Sequence, residues 1–131
     1  MNESGDQKAF VAWLRAQKIR CFSIPNSHFR EKTPEAYGMI AKMMAEGMTS
    51  GIPDLCVLAH CADGKKRHFW VEMKAPEMKP KKGGKGGVSD EQREWIDAFC
   101  EVQETGTAVC YGFDEAVADY EEFCRSFAPQ K

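Results

Sequence analysis

Residues 51–74 read GIPDLCVLAHCADGKKRHFWVEMK, and no other stretch restricts the fold as much. Two apolar runs, 54–60 and 67–74, flank the turn residues Ala62-Asp63-Gly64-Lys65, which predicts an antiparallel hairpin. Side chains alternate between faces along a strand. Phe69, Val71 and Met73 therefore share one face, and Trp70, Glu72 and Lys74 the other. Leu55, Val57 and Ala59 are the natural partners of the Phe/Val/Met face, which leaves Asp54, Cys56, Leu58 and His60 on the side of Glu72 and Lys74. This matching holds only if Asp54 pairs opposite Glu72 or Lys74, so that paired residue numbers add to an even value and the loop is odd in length. A two-residue Asp63-Gly64 turn would pair Asp54 with Met73 and separate the carboxylates. The expectation is a three- or five-residue loop with Gly64 in a left-handed conformation.

Charges at the ends of otherwise apolar strands are costly unless something uses them. A Glu72–Lys74 surface pair beside a turn-capping Asp54 is the plain structural reading. Two carboxylates and a lysine converging on one face point instead to a divalent metal site. Asp54 and Glu72 would offer hard oxygen ligands to a Mg²⁺ that keeps several waters. Such an ion lowers the pKa of a bound water and offsets charge on a phosphate undergoing attack. Lys74 would hold that water or contact the phosphate as a point charge.

The rest of the chain alternates helix and strand signals. Residues 4–18 carry Ala9, Phe10, Trp13, Leu14 and Gln17 at helical spacing. A short strand at 20–24 ends at Pro25, and 26–30 form a polar loop. Thr33-Pro34-Glu35 reads as a helix start, with the helix stopping at Gly47. Segment 75–88, with its lysines, glycines and prolines, is expected to be a mobile loop. Ser89-Asp90-Glu91-Gln92 reads as a capping box opening a helix with Trp95, Ile96, Phe99, Cys100 and Val102 on its apolar face, closed by Thr105-Gly106. Residues 107–112 form a buried strand, and Asp114 caps a last helix with Val117, Tyr120, Phe123 and Cys124 inward. This order predicts one α/β domain over 1–131, a mixed central sheet flanked by helices.

With 131 residues and no apolar run near the ~20 needed to span a bilayer, the chain is expected to be soluble. The N-terminal MNESGDQKAF lacks a basic region followed by an apolar stretch, so a cytoplasmic location is expected, that of the host if phage-encoded. The six cysteines form no CxxC pair and read as small hydrophobes; a zinc site from Cys56, His60 and Cys61 lacks a second ligand pair. The charge is uneven: residues 1–88 hold 15 Lys and Arg against 9 Asp and Glu, residues 89–131 hold 3 against 11. A basic half is thus available to a polyanion.

Pro53-Asp54 followed by Glu72-Met73-Lys74 resembles the PD-(D/E)XK nuclease signature. Ile24-Pro25-Asn26, the Ser50-Gly51-Ile52-Pro53-Asp54-Leu55 entry, Val71-Glu72-Met73-Lys74, Ser89–Gln92 with Trp95, and Gly106 before a strand resemble the virus-type replication-repair nuclease (VRR-NUC) domain over nearly the whole chain, in its stand-alone phage and bacterial form. The resemblance implies a restriction-endonuclease-like core and a DNA nuclease dependent on Mg²⁺ or Mn²⁺. It implies that Asp54, Glu72 and the Met73 backbone carbonyl hold the metal, that Lys74 is catalytic, and that Glu3 on the first helix joins the site. Gln7 and Gln92 match weaker polar positions, and Gln92 is equally well explained as the capping-box residue.

The resemblance places Asn26, His28 and Arg30 near the substrate, and Lys79, Lys81, Lys82 and Lys85 suit a phosphate backbone. Stand-alone members resemble Holliday-junction resolvases, which act as homodimers on branched DNA; the Met-rich helix with Met39, Met43, Met44 and Met48 offers one surface for that. The alternatives are a less selective flap, fork or nicking nuclease, and an inactive nucleic-acid-binding module.

Overall fold

The structure, a computed structural model, describes residues 2–25 and 33–130. Among the described residues four α-helices and four strands follow in the order α1 (Glu3–Ala16), β1 (Cys21–Ser23), α2 (Pro34–Ala45), β2 (Leu55–His60), β3 (Lys66–Lys74), α3 (Asp90–Cys100), β4 (Gly106–Tyr111) and α4 (Phe113–Arg125). The sheet order is β1-β2-β3-β4, with the first three strands antiparallel and β4 parallel to β3. Parallel neighbours need a crossover, which the segment containing α3 supplies.

The hairpin has the expected register. Leu55 pairs with Val71 and His60 with Lys66, leaving the five residues 61–65 as the loop. Within it, the Cys61 N–H donates to the Lys65 carbonyl and the Gly64 N–H to the Cys61 carbonyl, both at 2.9 Å. Gly64 sits at φ 85°, a left-handed angle that glycine adopts without strain. Arg67 secures this loop: its guanidinium bonds both Asp63 carboxylate oxygens, reaches Glu104 at 2.8 Å, and lies 3.7 Å over the Phe127 ring.

The apolar hairpin face, Leu55, Val57, Ala59, Phe69, Val71 and Met73, packs with Phe10 and Leu14 of α1 and Ala116 and Tyr120 of α4 into the main core. Each fully buried side chain of this size contributes about 1.5–3 kcal/mol. The other face of β3 is covered by α3, where Trp70 stacks on Phe99 with centroids 4.5 Å apart. Cys56 and Cys61 belong to opposite sheet faces, Cys61 within the core, so the cysteine–histidine set considered above is not assembled.

Local signals explain most helix ends. Thr33 accepts from Ala36 N–H with Pro34 at the first turn, and Met48 N–H to Met43 carbonyl with Gly47 N–H to Met44 carbonyl closes α2 as a Schellman motif. Three expectations need correction. Helix α3 ends at Cys100, not at Thr105-Gly106, so Val102 lies beyond it, 53% exposed. Gly106 begins β4, where an added Cβ would stand 2.6 Å from Phe123 and 2.7 Å from Phe69; it is required by packing. Asp114 does not cap α4: the cap position is Gly112, and the free Phe113 N–H is taken by Asp6 of α1 at 3.2 Å. Among the described residues no helix is long and apolar enough to cross a membrane.

Candidate active site

Asp54 lies one step before β2, and continuing the ladder past the Leu55–Val71 pair places it opposite Glu72. It is held from both neighbours. Its backbone carbonyl accepts the Ile24 N–H and its Oδ2 accepts the Met73 N–H, each at 2.9 Å. The turn into it is tight: at Gly51, φ 86°, an added Cβ would stand 2.9 Å from the Glu91 backbone. Ser50 hydrogen-bonds the Glu91 carboxylate, tying the same turn to α3.

Glu72 is 2% exposed, and its Oε1 has no hydrogen-bond partner among the described residues. Burial pushes its carboxyl up to about 9, with the hydrogen bond and negative charge of Asp54 adding to the rise and Lys74 opposing it. Two carboxyl groups thus face each other in a dry place, and the pair is relieved by a proton or by a cation.

Lys74 is the positive group paired with Glu72 among the described residues, itself 8% exposed. Its Nζ lies 3.9 Å from Glu72 Oε2 and donates to Gln92 Oε1 at 3.3 Å. That same Oε1 accepts the Ser89 N–H at 2.9 Å, while Ser89 Oγ accepts the Gln92 N–H. Gln92 is the capping-box residue of α3, and the same oxygen is an acceptor for the lysine.

The other candidate residues are placed unevenly. Glu3 and Gln7 are half-buried on α1 and line a groove beside β1; the charge of Glu3 reaches Glu72 and raises it further. Among the described residues no group of three or more His, Cys, Asp or Glu side chains is gathered to hold a metal, so Glu3 is a neighbour of the Asp54–Glu72 pair and not packed with it. Asn26, His28 and Arg30 fall outside the described residues. Within 75–88 the four lysines divide. Lys79 pairs with Glu115 at 2.5 Å and Lys85 with Asp90 at 3.1 Å, whereas Lys81 and Lys82 are exposed with no ion pair to a described residue. The segment is itself anchored by a turn at Pro76–Met78, buried Val88, and the Tyr111 hydroxyl donating to the Gly86 carbonyl at 2.9 Å. The sequence reading missed Asp6, a buried carboxylate whose Oδ1 caps α4 and whose Oδ2 has no partner among the described residues. Its only local signal was an acid in the first turn of a helix.

The residues present fit a divalent cation. Glu72 Oε1 is an orphaned buried acceptor, Asp54 stands against it, and oxygen donors from one or two carboxylates suffice for an ion that keeps its waters. The mixed sheet with helices on both faces, carrying an aspartate opposite a Glu-x-Lys strand end, defines a nuclease core of the PD-(D/E)XK kind. Residues 2–114 match the VRR-NUC domain, and the chain belongs to that family. A solved structure described as a VRR_NUC domain protein superposes with a TM-score of 0.60 at 18% identity, covering 94% of this chain and 88% of that one. No curated protein is recognisably similar.

Proposed function

We propose that this nuclease is a Mg²⁺- or Mn²⁺-dependent DNA endonuclease, acting as a homodimer on branched DNA in the manner of a Holliday-junction resolvase. The observation that carries the metal dependence is the buried Asp54–Glu72 pair with its orphaned Glu72 oxygen. Asp54, Glu72 and the Met73 backbone carbonyl would hold the ion. When bound, it supplies a Lewis acid that activates water and offsets phosphate charge.

The chain's own residues do the remainder. The Met73 N–H fixes the Asp54 carboxylate in place. Lys74, steadied by Gln92, presents its ammonium next to the carboxylate pair, where it orients the attacking water or meets a phosphate oxygen. Burial of Glu72 and Lys74 excludes bulk water, so this electrostatic contribution is strong.

The dimer reading is supported by α2. This helix buries only Ala36 and leaves Tyr37, Met39 and Met44 about half exposed. Tyr37, Ala41 and Met44 fall on one stripe, and an antiparallel pairing centred between Ile40 and Ala41 sets Tyr37 of each copy against Met44 of the other. Such an isologous contact is self-complementary, and a methionine sulfur on an aromatic ring is favourable. Two symmetric sites suit a two-fold junction.

The test offers a four-way junction, a flap and a plain duplex to the protein with Mg²⁺, with Mn²⁺ and with EDTA. Paired symmetric nicks in the junction are expected, abolished by EDTA. Absence of cleavage on every substrate with either metal would sink the reading, and preference for the flap would replace the resolvase by a flap or fork nuclease.

A further inference from the structure

We infer that the groove between α1 and β1 binds a single strand of nucleic acid running to the active site, with its phosphates on Lys8, Arg15, Lys18 and Arg20. The inference rests on the nuclease reading above and adds a path for a strand left unpaired at a branch point, which neither the Asp54–Glu72 pair nor the 75–88 lysines define.

The groove has a volume of about 1120 Å³ and begins at Glu3, whose charge reaches Glu72, and Gln7. It runs along α1 past Lys8 to Arg15 and continues into a second recess of about 560 Å³ that adds Lys18 and Arg20. Arg15, Cys21 and Phe22 line both, so the two recesses form one channel. Lys8 and Arg15 are two helical turns apart, about 10 Å along α1. A strand lying in the channel therefore meets cationic groups at intervals matching several successive phosphates.

Charge sets the occupant. All four cations are exposed, and none forms an ion pair with a described residue. The only acid among the described lining residues is Glu3, at the end from which its charge reaches Glu72. Between the cations, Val11, Ala12 and Leu55 give an apolar floor suited to sugar and base edges. A cleft walled by one helix and one edge strand has sides for one backbone, and basic grooves with apolar surface are the usual means of holding unpaired strands.

The test measures binding of fluorescein-labelled dT30 and of a 30-base-pair duplex in EDTA by anisotropy, across a salt series, for the full chain and for Arg15→Gln/Lys18→Gln. Both positions are exposed on or just past a helix end, and an unchanged melting curve confirms folding. A separate Lys8→Gln variant checks the groove at its other end. The double variant is expected to bind dT30 roughly 10-fold more weakly at low salt, with the slope of log affinity against log salt reduced by about 1.4, two contacts at ~0.7 each. Duplex binding should change less. A wild-type protein that does not bind dT30, or variants that bind it as wild type does, overturn the inference. So does a larger loss on duplex than on dT30, or a parallel change in solution mass, which would give the groove to a second copy. Cleavage of DNA with Mg²⁺ or Mn²⁺ is read separately: normal cleavage with unchanged dT30 binding removes the groove alone, whereas absent cleavage removes the nuclease reading whatever the groove binds.

Discussion

Asp54 Oδ2 accepts the backbone N–H of Met73 at 2.9 Å, so the residue that precedes β2 is bonded to the strand that carries Glu72 and Lys74. The bond is worth about 1.5–3 kcal/mol if the acceptor is charged, and it keeps one carboxylate beside a second that is buried. Asp54→Asn preserves an acceptor for Met73 while removing the charge that Glu72 faces. The expected variant melts in EDTA no lower than wild type, yet cleaves DNA at least about 100-fold more slowly. Near-normal cleavage would show that Asp54 is no metal ligand, and a large drop in melting temperature would make its role chiefly structural.

Lys74 and Gln92 divide along the same lines. Lys74→Ala removes the ammonium beside the carboxylate pair, so cleavage should be lost while Mn²⁺ binding, followed by calorimetry, remains. Gln92→Ala removes the acceptor shared by Lys74 and the Ser89 N–H. Its cost in stability should be about 1 kcal/mol, the net value of a hydrogen bond of this kind, and its loss of rate smaller than that of Lys74→Ala. A Gln92→Ala enzyme as inactive as Lys74→Ala would place Gln92 on the reacting atoms and not behind the lysine.

The raised Glu72 carboxyl has a consequence for the metal-free protein. In the unfolded chain this group loses its proton near 4.5, in the folded chain near 9. The native state binds the extra proton across that window, so this contribution to stability is complete at low pH and is lost as pH rises toward 9. Melting curves in EDTA should therefore fall with pH more steeply for wild type than for Glu72→Gln, which has nothing to titrate. Added Mg²⁺ should lift the wild-type curve most at the alkaline end and release a proton near pH 7. Parallel profiles for the two proteins in EDTA would contradict the assignment.

The lysines of 75–88 should not be equivalent. Lys79 and Lys85 already face Glu115 and Asp90, and taking them to a phosphate means giving up those contacts. Lys81→Gln/Lys82→Gln is expected to lower the salt slope of duplex binding by about 1.8, at ~0.9 per contact. Lys79→Gln should change it less and leave stability nearly unaltered, since solvent screens an exposed pair. Equal slopes for both variants would mean that the ion pairs open freely on binding.

What the sequence discloses follows from the range of each interaction. The hairpin register was legible because the period of two is strict and Leu55, Val57 and Ala59 had one sensible set of partners. The caps at Thr33 and Ser89 were legible because cap and partner are three residues apart. Gly106 was not: its requirement comes from Phe123 and Phe69, distant in the chain, and alone it resembles any glycine after a helix. Asp6 was missed for the same reason, since its partner is Phe113. Segment 75–88 reads as loose by composition, yet Tyr111 anchors it from β4. The Asp54–Glu72–Lys74 set could be assembled from parity alone, but not the fact that Gln92 serves lysine and cap with one oxygen.

Helix α2 carries the last prediction. An amphipathic helix with half-exposed Tyr37, Met39 and Met44 leaves apolar surface that a monomer has little reason to keep. If two copies meet there about a centre between Ile40 and Ala41, Met44→Glu sets a carboxylate against Tyr37 of the other copy and should convert a two-chain mass in solution to one. Nicking of a simple substrate at high enzyme concentration should survive, because α2 supplies no group at the carboxylate pair. Paired nicks in a four-way junction should become single, unsynchronised ones. A Met44→Glu protein that retains the two-chain mass would move the interface elsewhere, and a wild-type protein of one-chain mass at all concentrations would remove the homodimer itself.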